Sequence, residues 1–316
     1  GDPTMKKIRY LLPLALLAAT AYIALVAIPR QVIHSERVPI SKTPAAVGLG
    51  YEDFQVSPAD LPLKLAGWWM PAERPSATLV FIHGGGSNRH TDYLQALEFY
   101  RALVQRGISV ATIDLRNHGA SDADGAGLGF GGSEKADAIA AVEWARQQAP
   151  HHPLFLMGIS MGGATVIHAA ATGLELDGLI LLDPLLDSET AFTHGAWTET
   201  GLPPALFSVS AWSTEALFGL PGGASGSLQV GSELELPILL LQDPGDPVTL
   251  ASHARTLAER NPHVTFWLAP EVADDHPELG WRERWGSHVA AFATYPQQTM
   301  EQIMAFVESV SNSTVK

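Results

Sequence analysis

The chain has 316 residues, of which 46% are hydrophobic and 16% are charged, and it contains no cysteine. This composition excludes a disordered chain, disulfide bonds and thiolate chemistry. The formal net charge of −14 argues against a nucleic-acid partner, because phosphate binding requires a basic face.

The N-terminal stretch "MKKIRYLLPLALLAATAYIALVAIPR" has the character of a leader, and the preceding "GDPT" is interpreted as an artificial addition. Lys6, Lys7 and Arg9 precede an uncharged, mostly apolar run from Tyr10 to Ile28, close to the ~20 residues that span a bilayer. The positive cluster favours a cytoplasmic N-terminus, which would put the following domain outside the cytoplasm.

Three interpretations of the leader stay open. It is expected to be an uncleaved membrane anchor, and the alternatives are a signal peptide cleaved after "ATA" (19–21), which would leave a secreted or periplasmic protein, or a helix packed on the domain. The predicted organisation is a leader over residues 1–31, a polar connector over 32–50 and one folded domain over 51–316. A chain starting near Val38 is expected to fold alone unless the leader packs on the domain.

From Tyr51 onward, short apolar runs alternate with longer helical patterns, which predicts βαβ units and a mostly parallel, eight-stranded sheet with flanking helices. The predicted core strands are "TLVFIHG", "ISVATIDLR", "PLFLMGIS", "LDGLILLDP", "LPILLLQDP" and "HVTFWLAP". They are preceded by an antiparallel hairpin, "YEDFQVS" and "LPLKLAGWWMP". The predicted helices cover 92–105, 133–148, 161–171, 251–260 and 297–310.

Residues 185–232 interrupt this alternation with an aromatic-rich segment broken by Pro and Gly. The segment is interpreted as a small helical cap over a site, although a surface excursion of short helices is the alternative. As a cap it would line an apolar pocket with Phe192, Trp197, Phe207, Trp212 and Phe218.

Ser160 lies in "GISMG", between the predicted strand "LFLM" and the helical pattern "GGATVIHAA". A strand–turn–helix with this spacing exposes a serine hydroxyl on a tight turn, where it can act as a nucleophile. The following helix N-terminus offers free N–H groups to an oxyanion. The alternative is a helix-capping serine in a glycine-rich turn.

The order of "FIHGGGSNRH", "DLRNHGASD", "GISMGG", "DPGDPV" and "GSHVAAF" resembles that of the α/β-hydrolase-fold serine hydrolases, over roughly residues 51–310. The prolyl-oligopeptidase-like and lysophospholipase-like esterase branches are the most similar. The resemblance implies an oxyanion hole made by the N–H groups of Gly85 and Met161. It also implies scaffold roles for His83 and for the charged turn at 114–122.

The resemblance also implies an acid and a base. Asp246 in "DPGDPV" is the expected acid, with Asp183, and behind it Asp243 and Asp187, as alternatives. His288 in "WGSHV", followed by Pro296 and Phe306, is the expected base, with His276 as the alternative. The long separation between Asp246 and His288 implies an insertion over about 271–286.

The predicted function is therefore hydrolysis of a small-molecule carboxylic ester, with an apolar acyl group, through Ser160, His288 and Asp246. An amide or peptide hydrolase with the same residues is the alternative, and a non-catalytic membrane-tethered binding protein is a further one. No cofactor is implied, and the remaining histidines, such as His118, His151 and His152, lack the spacing of metal ligands. The sequence does not specify an oligomeric state.

Overall fold

The computed structural model describes residues 3–34 and 36–314, with side chains over 11–34 and 36–313. The predicted N-terminal addition therefore lies partly outside the described residues. Residue 35 of the predicted connector and residues 315–316 of the predicted domain also lie outside them.

An eight-stranded sheet forms the centre of the domain, in the order β1-β2-β4-β3-β5-β6-β7-β8. The β1–β2 and β2–β4 pairs are antiparallel, and all other neighbours are parallel. The predicted fold class is thus confirmed, including the antiparallel hairpin that precedes the parallel strands. The strands are β1 (Glu52–Val56), β2 (Leu65–Met70), β3 (Ala77–Ile82), β4 (Ile108–Ile113), β5 (Leu154–Ile159), β6 (Gly178–Leu182), β7 (Ile238–Gln242) and β8 (Val264–Leu268).

Strands β3 to β7 are buried at every position because helices cover both faces of the sheet. Alternate residues of a strand therefore enter different cores: Val80 and Ile82 belong to one apolar cluster, and Leu79 and Phe81 to the other. The helices that contribute buried side chains to the first cluster include α4 (Lys135–Gln148), α5 (Met161–Ala170) and α9 (Ala251–Arg260). Those contributing to the second are α3 (Ala96–Gln105), α10 (Ala291–Thr294) and α11 (Pro296–Thr314).

The segment 185–232 contains helices and no strand. Its helices are α6 (Ser188–Thr200), α7 (Ser208–Ala216) and α8 (Ser227–Ser232), with short 3-10 turns at Pro204–Phe207 and Gly223–Ser225. Helix α6 begins at an Asp187 cap and ends at Gly201, which has a φ of 71°. We refer to residues 185–232 as the cap.

The leader is helical in three consecutive parts: α1 (Pro3–Tyr22), a π-helical turn (Ile23–Ala27) and α2 (Ile28–Val32). One stretch, Leu11–Val32, is long and apolar enough to cross a membrane, with 22 residues and a mean hydropathy of 2.4. This hydropathy alone would also suit a signal sequence. The side chains of residues 11–23 are all exposed.

The second half of the leader packs on the cap. The hydroxyls of Ser210 and Ser213 on α7 donate to the carbonyls of Ala24 and Leu25 at 2.6 and 2.7 Å. Ile33, at the start of the predicted connector, is 5% exposed and belongs to the first core cluster. Contacts with the domain are therefore present on both sides of the predicted boundary at residue 31.

This packing changes the expected result of truncation. A chain starting at Val38 loses the buried side chains of Pro29 and Ile33, and burial of one such side chain is worth about 1.5–3 kcal/mol. We expect it to melt at least about 5 °C below a chain starting at Ile23, which keeps the packed part. Thermal unfolding of both proteins in the same mild detergent tests this, and equal melting temperatures would show that the leader contacts contribute nothing.

Candidate active site

Ser160 occupies the turn between β5 and α5 with φ 52° and ψ −123°, a conformation that L-residues rarely adopt. Two glycines allow the close approach that this turn requires. A Cβ on Gly158 would overlap the Gly162 carbonyl, and a Cβ on Gly162 would overlap the carbonyls at the end of β3. The turn leaves Ser160 partly exposed at the carboxyl edge of the sheet.

The structure brings Ser160, His288 and Asp246 together. His288 Nε2 lies 2.9 Å from Ser160 Oγ, and His288 Nδ1 lies 2.6 Å from Asp246 Oδ2. A carboxylate facing Nδ1 favours the tautomer with its proton on that nitrogen, which leaves Nε2 free to accept the serine proton. This is the geometry required for a nucleophilic serine, because the hydroxyl alone is a poor nucleophile.

Backbone and hydroxyl donors fix Asp246 in this orientation. Its Oδ1 accepts the N–H groups of Val248 and Thr249, and its Oδ2 accepts the Thr249 hydroxyl at 2.6 Å as well as the imidazole. The Asp246 side chain is fully buried, so these donors replace the water that a charged carboxylate would otherwise need. Thr249 was not singled out by the sequence, which contains many such hydroxyls.

Asp183, the alternative acid, bridges two loops instead of contacting the imidazole. Its Oδ1 accepts the N–H of Asp243 at 2.7 Å, and its Oδ2 accepts the N–H of Val289 at 2.8 Å. It thereby ties the loop after β7, which carries Asp246, to the residue next to His288. Burial raises the pKa of Asp183 well above its usual value, and the neighbouring Asp246 and Asp243 carboxylates raise it further.

The other alternative residues also have local structural contacts. Asp243 Oδ1 accepts the Gly245 N–H and the Ser287 hydroxyl, and burial raises the pKa of Asp243 to about 6. Asp187 caps α6 by accepting the Thr190 N–H. His276 accepts the Glu278 N–H at the start of a 3-10 turn, and His288 is the histidine in contact with Ser160.

The described residues contain one cluster that could by distance hold a cation: one carboxyl oxygen each of Asp183 and Asp246 and a ring nitrogen of His288 lie within 4.8 Å of one another. Both Asp183 oxygens already accept backbone N–H bonds, and Asp246 is paired with the imidazole. The protein thus supplies partners to the polar atoms of this cluster.

The glycine-rich turn after β3 covers the serine. The Cα of Gly84 packs against the Ser160 side chain, since a Cβ there would lie 3.2 Å from Ser160 Cβ. His83 Nδ1 lies 2.7 Å from the Gly84 carbonyl, and its Nε2 accepts the Leu115 N–H. Burial lowers the pKa of His83 to about 4, so the ring is neutral and donates through Nδ1 to that carbonyl.

This hydrogen bond sets the direction of the Gly85 N–H. In a trans peptide the carbonyl of one residue and the N–H of the next point in opposite directions. The Gly84 carbonyl is held by His83, so the Gly85 N–H points away from it. His118 supports the next residue, because its Nε2 accepts the Gly86 N–H at 3.0 Å. The two histidines therefore order the turn on which the predicted oxyanion donor lies.

The charged turn 114–122 fixes the loops around this glycine turn. Asp114 accepts the Arg89 and Ala120 N–H groups, and Arg116 pairs with Asp137 and Asp60 at 2.7 and 2.8 Å. These contacts agree with the scaffold role expected for this turn.

The predicted insertion at 271–286 forms short 3-10 turns over the base side of the site. Its Arg282 is buried and donates to the carbonyls of His288 and Tyr93 at 3.0 and 2.7 Å. The Trp285 ring lies 5.6 Å from the His288 ring, and the Tyr93 ring lies 5.0 Å from that of Trp281. These aromatic residues were missed from the sequence, where "GWRERWG" was interpreted only as part of an insertion.

Leu128 forms an apolar wall beside Gly85. Its side chain and the Met161 sulfur both lie against Gly85, within 3.4 Å of the place where a Cβ would stand. The Leu128 N–H donates to the Ile33 carbonyl at 2.7 Å, so this wall is joined to the start of the connector.

The five cap aromatics predicted to line a pocket have different surroundings. Phe192 and Phe207 are buried in the first core cluster, and Phe218 is partly buried against it. Trp197 is partly buried on α6, one turn after His194, whose Nδ1 lies 2.7 Å from the Pro247 carbonyl beside Asp246. Trp212 is 60% exposed.

Comparison with known proteins finds a family and curated relatives that match part of the chain. The family described as "Serine aminopeptidase, S33" matches residues 73–219. Monoglyceride lipase of Rattus norvegicus is 29% identical over 122 residues, which are 38% of each protein. The chain thus matches well under half the length of the curated relatives.

Solved structures match over more of the chain. An esterase of Pyrococcus furiosus has a TM-score of 0.69 and 21% identity, covering 87% of this chain and 98% of the esterase. A bacterial membrane phospholipase A has a TM-score of 0.56 and 21% identity, covering 96% of this chain and 99% of the phospholipase. The fold and the matches define an α/β-hydrolase-fold protein. The family match and the curated relatives support an esterase- or lipase-like enzyme of this fold.

The two histidines give the first test of the site. We expect His288→Ala to lower kcat by several orders of magnitude, because the imidazole contacts both Ser160 and Asp246. His276→Ala should stay within about tenfold of the parent protein, since its contact is local to a 3-10 turn. Ester turnover by both purified variants measures the difference, and the reverse order would place the base in the insertion.

The two carboxylates give the second test. Asp246→Asn should lower kcat by about 10³- to 10⁴-fold, because the amide favours the wrong imidazole tautomer. Asp183→Asn should mainly lower stability, since it replaces one of two buried acceptors with a donor, at a cost of about 1–3 kcal/mol. Steady-state kinetics and thermal melts of both variants separate the roles, and a stable Asp183→Asn protein without activity would contradict this assignment.

Proposed function

We propose that the protein hydrolyses carboxylic esters through a covalent intermediate on Ser160. The observation that carries this proposal is the continuous contact from Ser160 Oγ through His288 to Asp246, at 2.9 and 2.6 Å, on a strained turn. The rat relative is a monoglyceride lipase and the archaeal neighbour an esterase, which supports the same reaction class for this chain.

In the proposed mechanism, His288 Nε2 takes the proton from Ser160 Oγ as the oxygen attacks the ester carbonyl carbon. The resulting oxyanion accepts hydrogen bonds from the N–H groups of Gly85 and Met161. When the carbonyl re-forms, the alcohol leaves with the proton from His288. Water then loses a proton to His288, attacks the acyl-enzyme and releases the acid, which restores the serine.

The walls of the site support an apolar acyl group. Leu128 and Met161 lie on the oxyanion side, and Trp285 lies beside the base. Of the cap residues, Trp197 has the position best suited to extend this pocket, because it shares a face of α6 with His194. An acyl chain between such walls would be held by apolar burial and not by hydrogen bonds.

Peptide or amide hydrolysis is the second candidate, because the matching family is described as a serine aminopeptidase. An aminopeptidase needs an acidic group that is free to bind the substrate ammonium. The carboxylates of Asp183 and Asp246 beside the site are instead bonded to backbone N–H groups and to the imidazole. This pairing favours ester hydrolysis over aminopeptidase activity.

We further propose that the apolar leader helix, with its run from Tyr10 to Ile28, anchors the protein in a membrane, with the domain outside the cytoplasm. The exposed apolar side chains of this stretch and the basic residues before it support the proposal. Cleavage as a signal peptide, giving a secreted or periplasmic protein, remains the competing interpretation.

Turnover of p-nitrophenyl esters from acetate to palmitate, beside matched anilides, tests the reaction class. Esters of intermediate or longer acyl chains should be best, with anilides at least about tenfold slower. Ser160→Ala is the matched control and should lose both activities while keeping its melting temperature. Preference for anilides with a free amino terminus would favour the aminopeptidase, and a folded protein inactive on every substrate would favour a binding role.

A further inference from the structure

The described part of the domain leaves several large apolar side chains exposed, and most of them lie in the cap. Val209 is 57% exposed, Leu206 is 66% exposed and Trp212 is 60% exposed. Monomeric soluble proteins rarely gather such side chains in one place without a binding role. The full set within the cap is Leu202, Leu206, Val209, Trp212 and Leu217.

Helix α7 connects these side chains to the leader. At about 100° per residue, Ser210 and Ser213 share the face that donates to the leader carbonyls. Val209 and Trp212 lie about 100° around the helix axis from that face. They point away from the buried Ala211 and Thr214. The exposed side chains of Val209 and Trp212 therefore lie beside the part of the leader that packs on α7.

The charges of the cap restrict what can cover this face. Residues 185–232 contain no Lys or Arg, and Arg284, which packs on the cap from outside it, donates to the Thr198 carbonyl. The leader helix beside the face has a mean hydropathy of 2.4 and leaves the side chains of 11–23 exposed. Apolar side chains without basic partners suit the interface of a neutral lipid bilayer, where binding scales with buried apolar area.

We propose that the cap rests in the surface of the bilayer that the leader enters, through Val209 and Trp212 on one face of α7 and the exposed side chains Leu202, Leu206 and Leu217 before and after this helix. This inference rests on the proposed membrane anchor and is independent of the proposed esterase activity. The leader contact at Ala24 and Leu25 holds α7 at the membrane level, and the cap then forms the side of the domain facing the lipid. A lipid ester would reach the site without crossing bulk water.

The absence of cysteine allows a direct depth measurement. Single cysteines at Val209 and at Leu206 are labelled with an environment-sensitive fluorophore in the full-length protein, reconstituted in phosphatidylcholine vesicles. Leu16→Cys is the control for the leader, and His151→Cys is the control for the opposite end of the domain, because it precedes β5 whereas Ser160 follows it. Lipids carrying a spin label at a shallow or a deep position serve as quenchers.

We expect the shallow quencher to affect positions 209 and 206, the deep quencher to affect position 16, and neither to affect 151. Quenching at 209 should be unchanged in high salt, because α7 carries no basic residue. If 16 is quenched while 209 and 206 behave like 151, the cap stands away from the bilayer and the proposal is wrong. If position 16 is not quenched, the leader does not enter the bilayer, and the proposal is wrong.

A second copy of the chain is the competing occupant of the face. Energy transfer between labels at position 209 of two chains would show that the face binds a second copy. If this transfer persists on dilution and the lipid quenchers have no effect at 209, the proposal is overturned. As a functional readout, Leu206→Ser with Val209→Ser should lower turnover of a long-chain ester embedded in vesicles by about fivefold or more. Turnover of soluble p-nitrophenyl butyrate should be unchanged, which separates loss of lipid contact from loss of the active site.

Discussion

The turn at Ser160 is possible only because three backbones approach one another without side chains between them. Gly158 at the end of β5 lies against Gly162 in the first turn of α5, and Gly162 lies against the last carbonyls of β3. This contact accommodates the positive φ of the serine and places it beside the glycine turn after β3. Both the nucleophile and the neighbouring N–H groups thus depend on the same close packing.

The parallel strands then determine where the partners of the serine lie. The carboxyl ends of β3, β5, β6 and β7 meet at one edge of the sheet, so the loops that follow them converge there. Asp183 after β6 ties the loop after β7 to the segment of His288 through two backbone N–H groups. His83 after β3 orients the glycine turn in a similar way. Buried polar side chains, saturated by backbone groups, therefore position residues that would contact substrate.

Much of this arrangement was predictable from the sequence because it depends on local patterns. Continuous apolar runs predicted the buried strands, and the glycines around Ser160 predicted the turn. The sequence also favoured His288 over His276 by motif, and the contact with Ser160 agrees with that preference. The acid was harder to choose, since Asp183, Asp243 and Asp246 all follow parallel strands, and only the hydrogen bonds distinguish them.

Contacts between distant segments were not predictable. The sequence gives no signal that Ser210 and Ser213 donate to the leader 186 and 188 residues away. It likewise gives no signal that the Leu128 side chain lies against Gly85, or that Arg282 donates a hydrogen bond to the His288 carbonyl. Such contacts depend on how loops pack in three dimensions, which periodicity does not encode. For the same reason, Trp212 was expected in a pocket, whereas the structure leaves it exposed.

The central claim is that Ser160 is the one hydroxyl activated by the His288–Asp246 pair. Reaction of the folded protein with a fluorophosphonate, followed by mass spectrometry of the digested chain, tests it most directly. The account predicts one adduct per chain, on Ser160 within "GISMGG", formed far more slowly when His288 is replaced by Ala. An adduct on another residue, or none on a protein that turns over esters, would contradict it.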